Sequence, residues 1–140
     1  MPLVTDCELW IRSTDIDSDG IVNNARYFEF FEQGRSEHLL RLGVWSLQPA
    51  PGELARSMTV AETRCRFRAP LSYRDWIVVR TWTSAVRTRS WDLDYAITRR
   101  DNDAPVAEGS SALVWLDAQG RAAALPASVR GLLLDSLNDH

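Results

Sequence analysis

Hydrophobic and polar residues alternate along several stretches of the chain, which is the pattern of strands with one buried face. The first stretch is 4–13, where Cys7, Leu9 and Ile11 share one face and polar residues take the other. Four more such stretches follow in the second half of the chain, over 57–69, 75–87, 89–100 and 104–116. The sequence therefore predicts one strand at the N-terminus and four strands after a central segment.

The central segment, 24–42, repeats its apolar residues every three or four positions, as an amphipathic helix does. This stripe consists of Tyr27, Phe28, Phe31, Leu39 and Leu42. Phe30 and Leu40 widen the apolar surface, so we expect this long helix to be substantially buried. Gly43 is expected to end it, since glycine is the preferred residue just after a last helical turn.

Turn and loop residues separate these elements. Pro49, Pro51 and Gly52 mark a loop between the helix and the second strand. Short turns are predicted at 101–103, which is Asp-Asn-Asp, and at 117–120, which begins with Asp and ends with Gly. A second, short helix is expected within 129–137.

The order of one strand, one long helix and four strands predicts an α+β fold. One antiparallel five-stranded sheet wrapped around one long central helix satisfies this order, with residues 1–140 forming a single domain. Small residues on the last strand are expected where the helix crosses the sheet closely. Such a sheet has open edges, so pairing with a second copy of the chain is expected.

Composition restricts the functions that this fold carries. The net charge of −3 argues against a nucleic-acid partner, and no apolar run is long enough to span a bilayer. The N-terminus lacks the layout of a signal peptide, so we expect a cytoplasmic protein. All 16 basic residues are arginine, which excludes Schiff-base chemistry at a lysine.

Histidine and cysteine are scarce. Because His140 is the last residue, a catalytic triad would have to use His38. We expect His38 to be a partly exposed helix residue. Cys7 and Cys65 are too few for a zinc site and are expected to be buried free thiols. By elimination, we expect carboxylates to perform any chemistry.

The most informative stretch of the chain is 14–27. Asp15, Asp17 and Asp19 occupy alternate positions, and Gly20 and an Asn pair follow. Asparagine is a preferred N-cap, so this loop is expected to lead into the N-terminus of the helix. Unpaired backbone amides and the positive end of the helix dipole lie there, and both suit a developing oxyanion.

Two other interpretations of this stretch stay open. Asp-x-Asp-x-Asp-Gly is also how a calcium loop of the EF-hand type begins. However, Arg26 stands where that loop needs a bidentate Glu, and the preceding residues read as a strand. The third interpretation is a plain turn, because Asp and Gly are ordinary turn residues; for Asp19 we favour such a solvated position.

The run from Asp15 to Tyr27, followed by Glu32 and Arg35 in Glu-Gln-Gly-Arg, resembles the signature of hot-dog-fold acyl-CoA thioesterases. The closest group is the 4-hydroxybenzoyl-CoA thioesterase-like family. The resemblance implies hydrolysis of an acyl- or aroyl-CoA, or of an acyl-carrier-protein thioester, with no cofactor beyond the coenzyme A of the substrate. It also implies homodimers, often paired into tetramers, with sites at the protomer boundary.

The resemblance further implies roles for individual residues. Asp17 matches the catalytic acid, and the backbone amides of Asn23 and Asn24 match the oxyanion site. Substrate contacts are expected from Gly20, Ile21, Val22 and Tyr27. The turn of Arg87, Thr88, Arg89 and Ser90 matches the segment that holds the coenzyme A nucleotide, although a solvated hairpin tip is an equal alternative for its arginines. Many fatty-acyl members have His at the position of Ile21, whereas the 4-hydroxybenzoyl group has Ile.

The sequence leaves the mechanism and two rival functions open. Asp17 is expected either to activate water as a general base or to attack the thioester as a nucleophile. Asp15 and Asp19 would raise its proton affinity if they lay close. The rivals are a hot-dog dehydratase or isomerase, which usually needs a His paired with an acid, and a non-catalytic acyl-CoA-binding protein.

Overall fold

The structure is a computed structural model that describes residues 1–46 and 57–138. All five predicted strands and both predicted helices are present within that part of the chain. In chain order they are β1 (Val4–Trp10), a 3-10 turn (Ser13–Asp15), α1 (Arg26–Leu42), β2 (Met58–Phe67), β3 (Trp76–Val86), β4 (Ser90–Arg99), β5 (Pro105–Trp115) and α2 (Ala127–Ser136). Pro49, Pro51, Gly52 and His140 lie outside the described residues.

The five strands form one antiparallel sheet in the order β1-β3-β4-β5-β2. The edge strands are therefore β1, which pairs with β3, and β2, which pairs with β5. Helix α1 packs on one face of this sheet, mainly over β1 and β3. The predicted antiparallel five-stranded sheet with one long helix is thus confirmed. Neither described helix is long and apolar enough to cross a membrane.

Alternation along the strands builds the core between α1 and the sheet. The inward residues of β4, which are Trp91, Leu93, Tyr95 and Ile97, are each at most 1% exposed. Phe31 of α1 stacks on Tyr95 with ring centroids 4.4 Å apart. Burial of such aromatic and aliphatic side chains is the main stabilising term of a domain this size.

Two glycines allow α1 to lie close to the sheet. A Cβ at Gly34 of α1 would sit 2.7 Å from Cγ1 of Val79 and 2.7 Å from Oγ1 of Thr81, both on β3. A Cβ at Gly109 of β5 would sit 2.6 Å from the ring of Phe31. The close crossing that the small residues of the last strand predicted is therefore confirmed at Gly109.

The face that α1 buries differs from the predicted stripe. Tyr27, Phe31, Gly34 and His38 lie against the sheet, whereas Phe28 is 37% exposed. The opposite side of the helix is open in a single chain, so the expectation of a largely buried helix is met on one side only. Gly34 permits the closest contact, and the side chains one helical turn away on the same face are buried with it.

His38 is fully buried, so the expectation of a partly exposed residue is wrong. Its Nδ1 lies 2.7 Å from Oγ1 of Thr5 on β1, and its Nε2 lies 3.0 Å from Oγ1 of Thr83 on β3. The hydroxyl of Ser136 on α2 donates to the same Thr83 oxygen at 2.7 Å. One imidazole thereby links α1, β1, β3 and α2 through hydrogen bonds.

This network predicts acid sensitivity. Burial, with the neighbouring Arg41, lowers the pKa of His38 from 6.5 to about 4, so the unfolded chain takes up this proton first as the pH falls. The stability that depends on neutral His38 is fully present above about pH 6.5. We expect the free energy of unfolding to fall by about 3 kcal/mol between about pH 6.5 and about pH 4. Urea unfolding across this range measures it. His38→Gln should show a flatter profile, and identical profiles for the two proteins would contradict the assignment.

Candidate active site

The loop between β1 and α1 is organised around a buried carboxylate, Asp15, which is 2% exposed. The backbone amide of Arg12 donates to its Oδ2 at 2.9 Å, and Nη2 of the same arginine donates to Oδ1 at 3.1 Å. Burial acts to raise the pKa of Asp15, but the hydrogen bonds from Arg12 outweigh it and hold the pKa below its ordinary value. Asp15 is therefore an ionised anchor whose charge is already matched by Arg12.

Asp17 occupies the start of a tight turn. Its amide donates to the carbonyl of Ile21 at 2.9 Å, and Gly20 adopts the left-handed conformation, with φ +81°, that closes the turn. Its Oδ1 accepts the amide of Asp19 at 2.8 Å, while Oδ2 accepts no hydrogen bond from the described residues. Asp17 is half-buried and Asp19 is exposed, as expected for the latter. Of the three acids, Asp17 is thus the one with a carboxylate oxygen free at a partly covered position.

The loop leads into the N-terminus of α1, as predicted, but the N-cap is Ala25 and not an asparagine. The Oδ1 of Asn23 accepts the amide of Ala25 at 2.9 Å, so this side chain closes the turn before the helix instead of capping the helix. The amide of Asn23 donates to the carbonyl of Asp15 at 3.2 Å. The amide of Asn24 has no acceptor among the described residues, which leaves it as the available donor of the proposed pair.

The four residues predicted to touch substrate separate into two groups. Gly20 is exposed and Ile21 is 39% exposed, so a ligand can reach both. Val22 and Tyr27 are each 2% exposed and belong to the core. The ring of Tyr27 packs edge-on against Phe67 of β2, with centroids 5.0 Å apart. The structure therefore places Val22 and Tyr27 beneath the loop, where they support it.

The turn at 87–90 joins β3 to β4, and the amide of Arg87 donates to the carbonyl of Ser90 at 2.8 Å. The guanidinium of Arg87 pairs with the carboxylate of Asp92, with Nη1 2.9 Å from Oδ1. Arg89 is exposed, and none of the described residues accepts a hydrogen bond from its guanidinium. Arg89 is therefore the more available cation of the two.

The structure does not bring this turn near Asp17 within one chain. The Asp17 loop follows β1 at the end where Trp10 pairs with Trp76, the first residue of β3. The turn at 87–90 follows the last residue of β3, 11 residues further along an extended strand. The two sites therefore lie at opposite ends of the sheet, separated by roughly 30 Å.

Two cavities flank the open side of α1. One, of about 200 Å³, lies between α1 and β2, and its lining includes Arg35, Leu39, Met58, Val60 and Leu113. The other, of about 510 Å³, lies between α1 and the region of β1 and the 3-10 turn, and its lining includes Trp10, Arg12, Asp15, Arg26 and Glu29. Glu32 and Ser36 line both cavities, so the two are neighbours along the helix.

The two cysteines and the possible metal ligands offer no alternative site among the described residues. Both cysteines are free and half-buried, and burial raises the pKa of Cys65 to about 11. Burial, helped by Glu37, also raises the pKa of Cys7, so both thiols are protonated at neutral pH. Within 1–46 and 57–138, no three His, Cys, Asp or Glu side chains converge as metal ligands. Asp15, which would be the first ligand of a calcium loop, faces Arg12 instead.

Comparisons with known proteins find similar sequences and similar folds. The sequence profile described as the thioesterase-like superfamily matches residues 11–133. The chloroplastic acyl-acyl carrier protein thioesterase ATL3 of Arabidopsis thaliana is 31% identical over 128 residues, which are 89% of this chain and 65% of that protein. The chain thus spans just under two thirds of the length of this curated relative.

Solved structures share the fold. A 1,4-dihydroxy-2-naphthoyl-CoA thioesterase from Synechocystis superposes with a TM-score of 0.82 at 18% identity, covering 94% of this chain and 96% of the other. A gentisyl-coenzyme A thioesterase superposes with a TM-score of 0.77 at 22% identity, covering 92% of this chain and 99% of the other. These similarities confirm the hot-dog fold.

The side-chain contacts made by the site residues were not predicted from the sequence. The pairing of Arg12 with Asp15 has a local signal, because a cation and an acid three residues apart can meet in a single turn. The burial of Asp15 and the contact between Tyr27 and Phe67 have no such signal, since both depend on the packing of distant segments.

The anchor role of Asp15 predicts a loss of stability on substitution. Asp15→Asn keeps the size of the side chain but removes the charge that three donors of Arg12 satisfy, so we expect a cost of about 1–3 kcal/mol in the free energy of unfolding. Chemical denaturation measures it. Asp19→Asn makes the same substitution at an exposed acid of the same loop and is the matched control. It should change the free energy of unfolding by less than about 0.5 kcal/mol. Equal costs for both variants would show that Asp15 is not the anchor.

Proposed function

Because the chain belongs to the thioesterase-like superfamily, we propose that it hydrolyses the thioester of an acyl- or aroyl-CoA, or of an acyl-carrier-protein substrate, with Asp17 as the catalytic carboxylate. One observation carries this choice of residue. Among the described residues, Asp17 has a carboxylate oxygen that accepts no hydrogen bond, and it precedes a helix N-terminus where the amide of Asn24 has no acceptor. Asp15 and His38 are buried and hydrogen-bonded, and the thiols of Cys7 and Cys65 have raised pKa values.

The geometry supports a simple acyl-transfer mechanism. The thioester carbonyl oxygen would accept the amide of Asn24, and the positive end of the α1 dipole would stabilise the negative charge that develops on it. Asp17 would either take a proton from the attacking water or attack the carbonyl carbon itself. In the second case a mixed anhydride forms, the thiolate leaves and takes up a proton, and water then releases the acid and regenerates the carboxylate.

The separation of the two predicted subsites favours a homodimer. If Asp17 and the turn at 87–90 serve one substrate, a second copy must bring its turn to the Asp17 loop, since one chain holds them roughly 30 Å apart. β1 and β2 each have an outer edge that pairs with no described strand. We propose that two β2 edges pair antiparallel, because β2, with 10 residues, is longer than β1, with 7. A further pairing of dimers into tetramers is compatible with the open side of α1.

Dehydration or isomerisation is disfavoured by the position of His38. Both reactions usually require a histidine paired with an acid, and here the only described histidine is buried between Thr5 and Thr83. A protein that binds acyl-CoA without hydrolysing it remains the alternative that the following experiment separates.

The catalytic assignment predicts a kinetic defect without a binding defect. Asp17→Asn should lower kcat for acyl-CoA hydrolysis by about 10²–10⁴-fold, because a positioned carboxylate contributes on that order, while the dissociation constant stays nearly unchanged. Release of free thiol from short, long and aromatic acyl-CoAs measures turnover, and calorimetry measures binding. Asp19→Asn is the control and should keep wild-type turnover. Unchanged turnover in Asp17→Asn would remove Asp17 from the mechanism, and binding by the wild type without thiol release would indicate a non-catalytic binder.

The nucleotide-binding assignment predicts a defect confined to the full coenzyme. Replacing Arg87 and Arg89 by Ala should raise KM for acyl-CoA but not for the matching acyl-pantetheine, which lacks the nucleotide phosphates. Arg89→Ala alone should account for most of the effect, because Arg87 is paired with Asp92. Arg121→Ala removes another exposed arginine and should leave both KM values unchanged. Equal increases for the two substrates would refute the assignment.

A further inference from the structure

The second half of the family-like motif, Glu32 to Arg35, has no role in the mechanism above. Arg35 is half-buried on α1 and lines the cavity of about 200 Å³ between α1 and β2. Glu32 lines the same cavity, but its carboxylate does not pair with Arg35. The motif thus places a cation in the wall of a cavity near the open edge of the sheet.

Arg35 is weakly satisfied for a half-buried charge. Its guanidinium forms no ion pair with any described carboxylate, whereas Arg12, Arg26, Arg68 and Arg99 each do. Its hydrogen bond among the described residues is a long one of 3.4 Å, from Nη1 to Oη of Tyr95. Since a guanidinium carries several donors and no acceptor, most of its donors remain available to a ligand.

Tyr95 is the described residue whose hydroxyl contacts the Arg35 guanidinium. Its hydroxyl donates to Oγ of Ser111 at 2.9 Å, which leaves an oxygen lone pair to accept the guanidinium. Oγ of Ser111 lies in turn 3.1 Å from Oγ1 of Thr63. Because Tyr95 is 1% exposed and stacked on Phe31, its hydroxyl is fixed and cannot follow the guanidinium if that moves.

The apolar part of the cavity wall consists of Leu39, Trp45, Met58, Val60 and Leu113, and the polar residues Glu32, Ser36, Ser57 and Thr59 complete the lining. Its volume exceeds the approximately 150 Å³ of an apolar cavity that binds benzene. A plain alkyl group entering here would strip water from the Arg35 guanidinium and return no hydrogen bond, which is costly. An acyl group that carries an acceptor oxygen beyond its apolar part would replace that water.

We propose that Arg35 is a specificity-determining residue, and that the cavity between α1 and β2 binds the acyl portion of a substrate that carries an acceptor oxygen, a ketone or a carboxylate, remote from the thioester. The proposal rests on the proposed thioesterase function. It names the acyl class that the same site prefers, and Tyr95 acts in it as a positioning residue.

The cavity is suitably placed in the dimer proposed above. In an antiparallel pairing of two β2 edges, the start of one strand meets the end of the other. Met58 and Val60, at the cavity, would then lie beside the end of the partner's β2. That end carries Phe67, which in this chain packs on Tyr27 beneath the Asp17 loop. An acyl group held at one chain's Arg35 would therefore extend toward the other chain's catalytic loop.

The test compares matched substrates on the intact protein. For one chain length, kcat/KM is measured for the saturated acyl-CoA, an oxo-acyl-CoA and an ω-carboxyacyl-CoA. We expect the wild type to prefer at least one oxygen-bearing substrate, and Arg35→Met to lower its kcat/KM by about ten- to a hundredfold while leaving the saturated substrate unchanged or improved. The two oxygen-bearing arms show whether a ketone or a carboxylate is bound.

Further variants exclude a merely structural effect. Arg41→Met makes the same substitution on the same helix, where Nη1 of Arg41 bonds the carbonyl of Val4, and should leave the preference intact. Tyr95→Phe should lose part of the preference, and Arg35→Lys should retain part of it. If Arg35→Met does not fold, the wild-type preference and Arg35→Lys decide the matter.

Two outcomes overturn the proposal: no preference for either oxygen-bearing substrate in the wild type, or an equal loss on all three substrates in Arg35→Met. Failure of the thioesterase function itself looks different, because no substrate would then release thiol. In that case calorimetric dissociation constants for the same three ligands replace kcat/KM. The same dependence on Arg35 would support the acyl preference, and its absence would overturn it.

Discussion

The fold depends on how closely α1 can lie on the sheet, and Gly34 sets that distance. A methyl group there would meet Val79 and Thr81 of β3 at 2.7 Å, which no packed atom tolerates. Phe31 and His38, about one helical turn to either side, are buried on the same face and fix the position of the helix along the sheet. The start of α1, and with it the amide of Asn24, is therefore placed by packing that lies several residues away from the site.

Two carboxylates two residues apart have different surroundings because the backbone changes direction between them. Asp15 ends a 3-10 turn and points inward, where Arg12 supplies three hydrogen bonds and compensates its burial. Asp17 begins the next turn and keeps one oxygen free. A buried ionised group that is fully paired stabilises a loop but has little left for a substrate, whereas a half-buried, partly bonded one can react. The loop thus separates the residue that holds its shape from the residue suited to chemistry.

Elements with a strong periodic signal could be predicted from the sequence, whereas contacts between distant segments could not. The four apolar or alternating stretches between residues 57 and 116 favour strands, and the order of elements then favours one antiparallel sheet, so the fold could be predicted. The loop at 14–27 carries a local signal that identified its place before the helix. The buried face of α1 was assigned from hydrophobicity, which favoured Phe28 and overlooked His38. The spacing of four places His38 on the same helix face as Gly34, which was the available signal for its burial. Its hydrogen bonds to Thr5 and Thr83 could not be predicted, because they form only when β1 and β3 are brought together.

The distance between the two ends of β3 has a consequence for assembly. If Asp17 is the catalytic carboxylate and the turn at 87–90 binds the nucleotide, as proposed above, one chain holds them too far apart to serve one coenzyme A. An antiparallel dimer along the β2 edge reverses the second copy, so that each end of one chain meets the other end of its partner. Under that symmetry, the roles proposed for Asp17, Arg35 and Arg89, which lie apart in one chain, would be combined in two equivalent sites. In such a dimer, the outer edge of β2 would supply the contact between chains that the separation of the two proposed subsites requires.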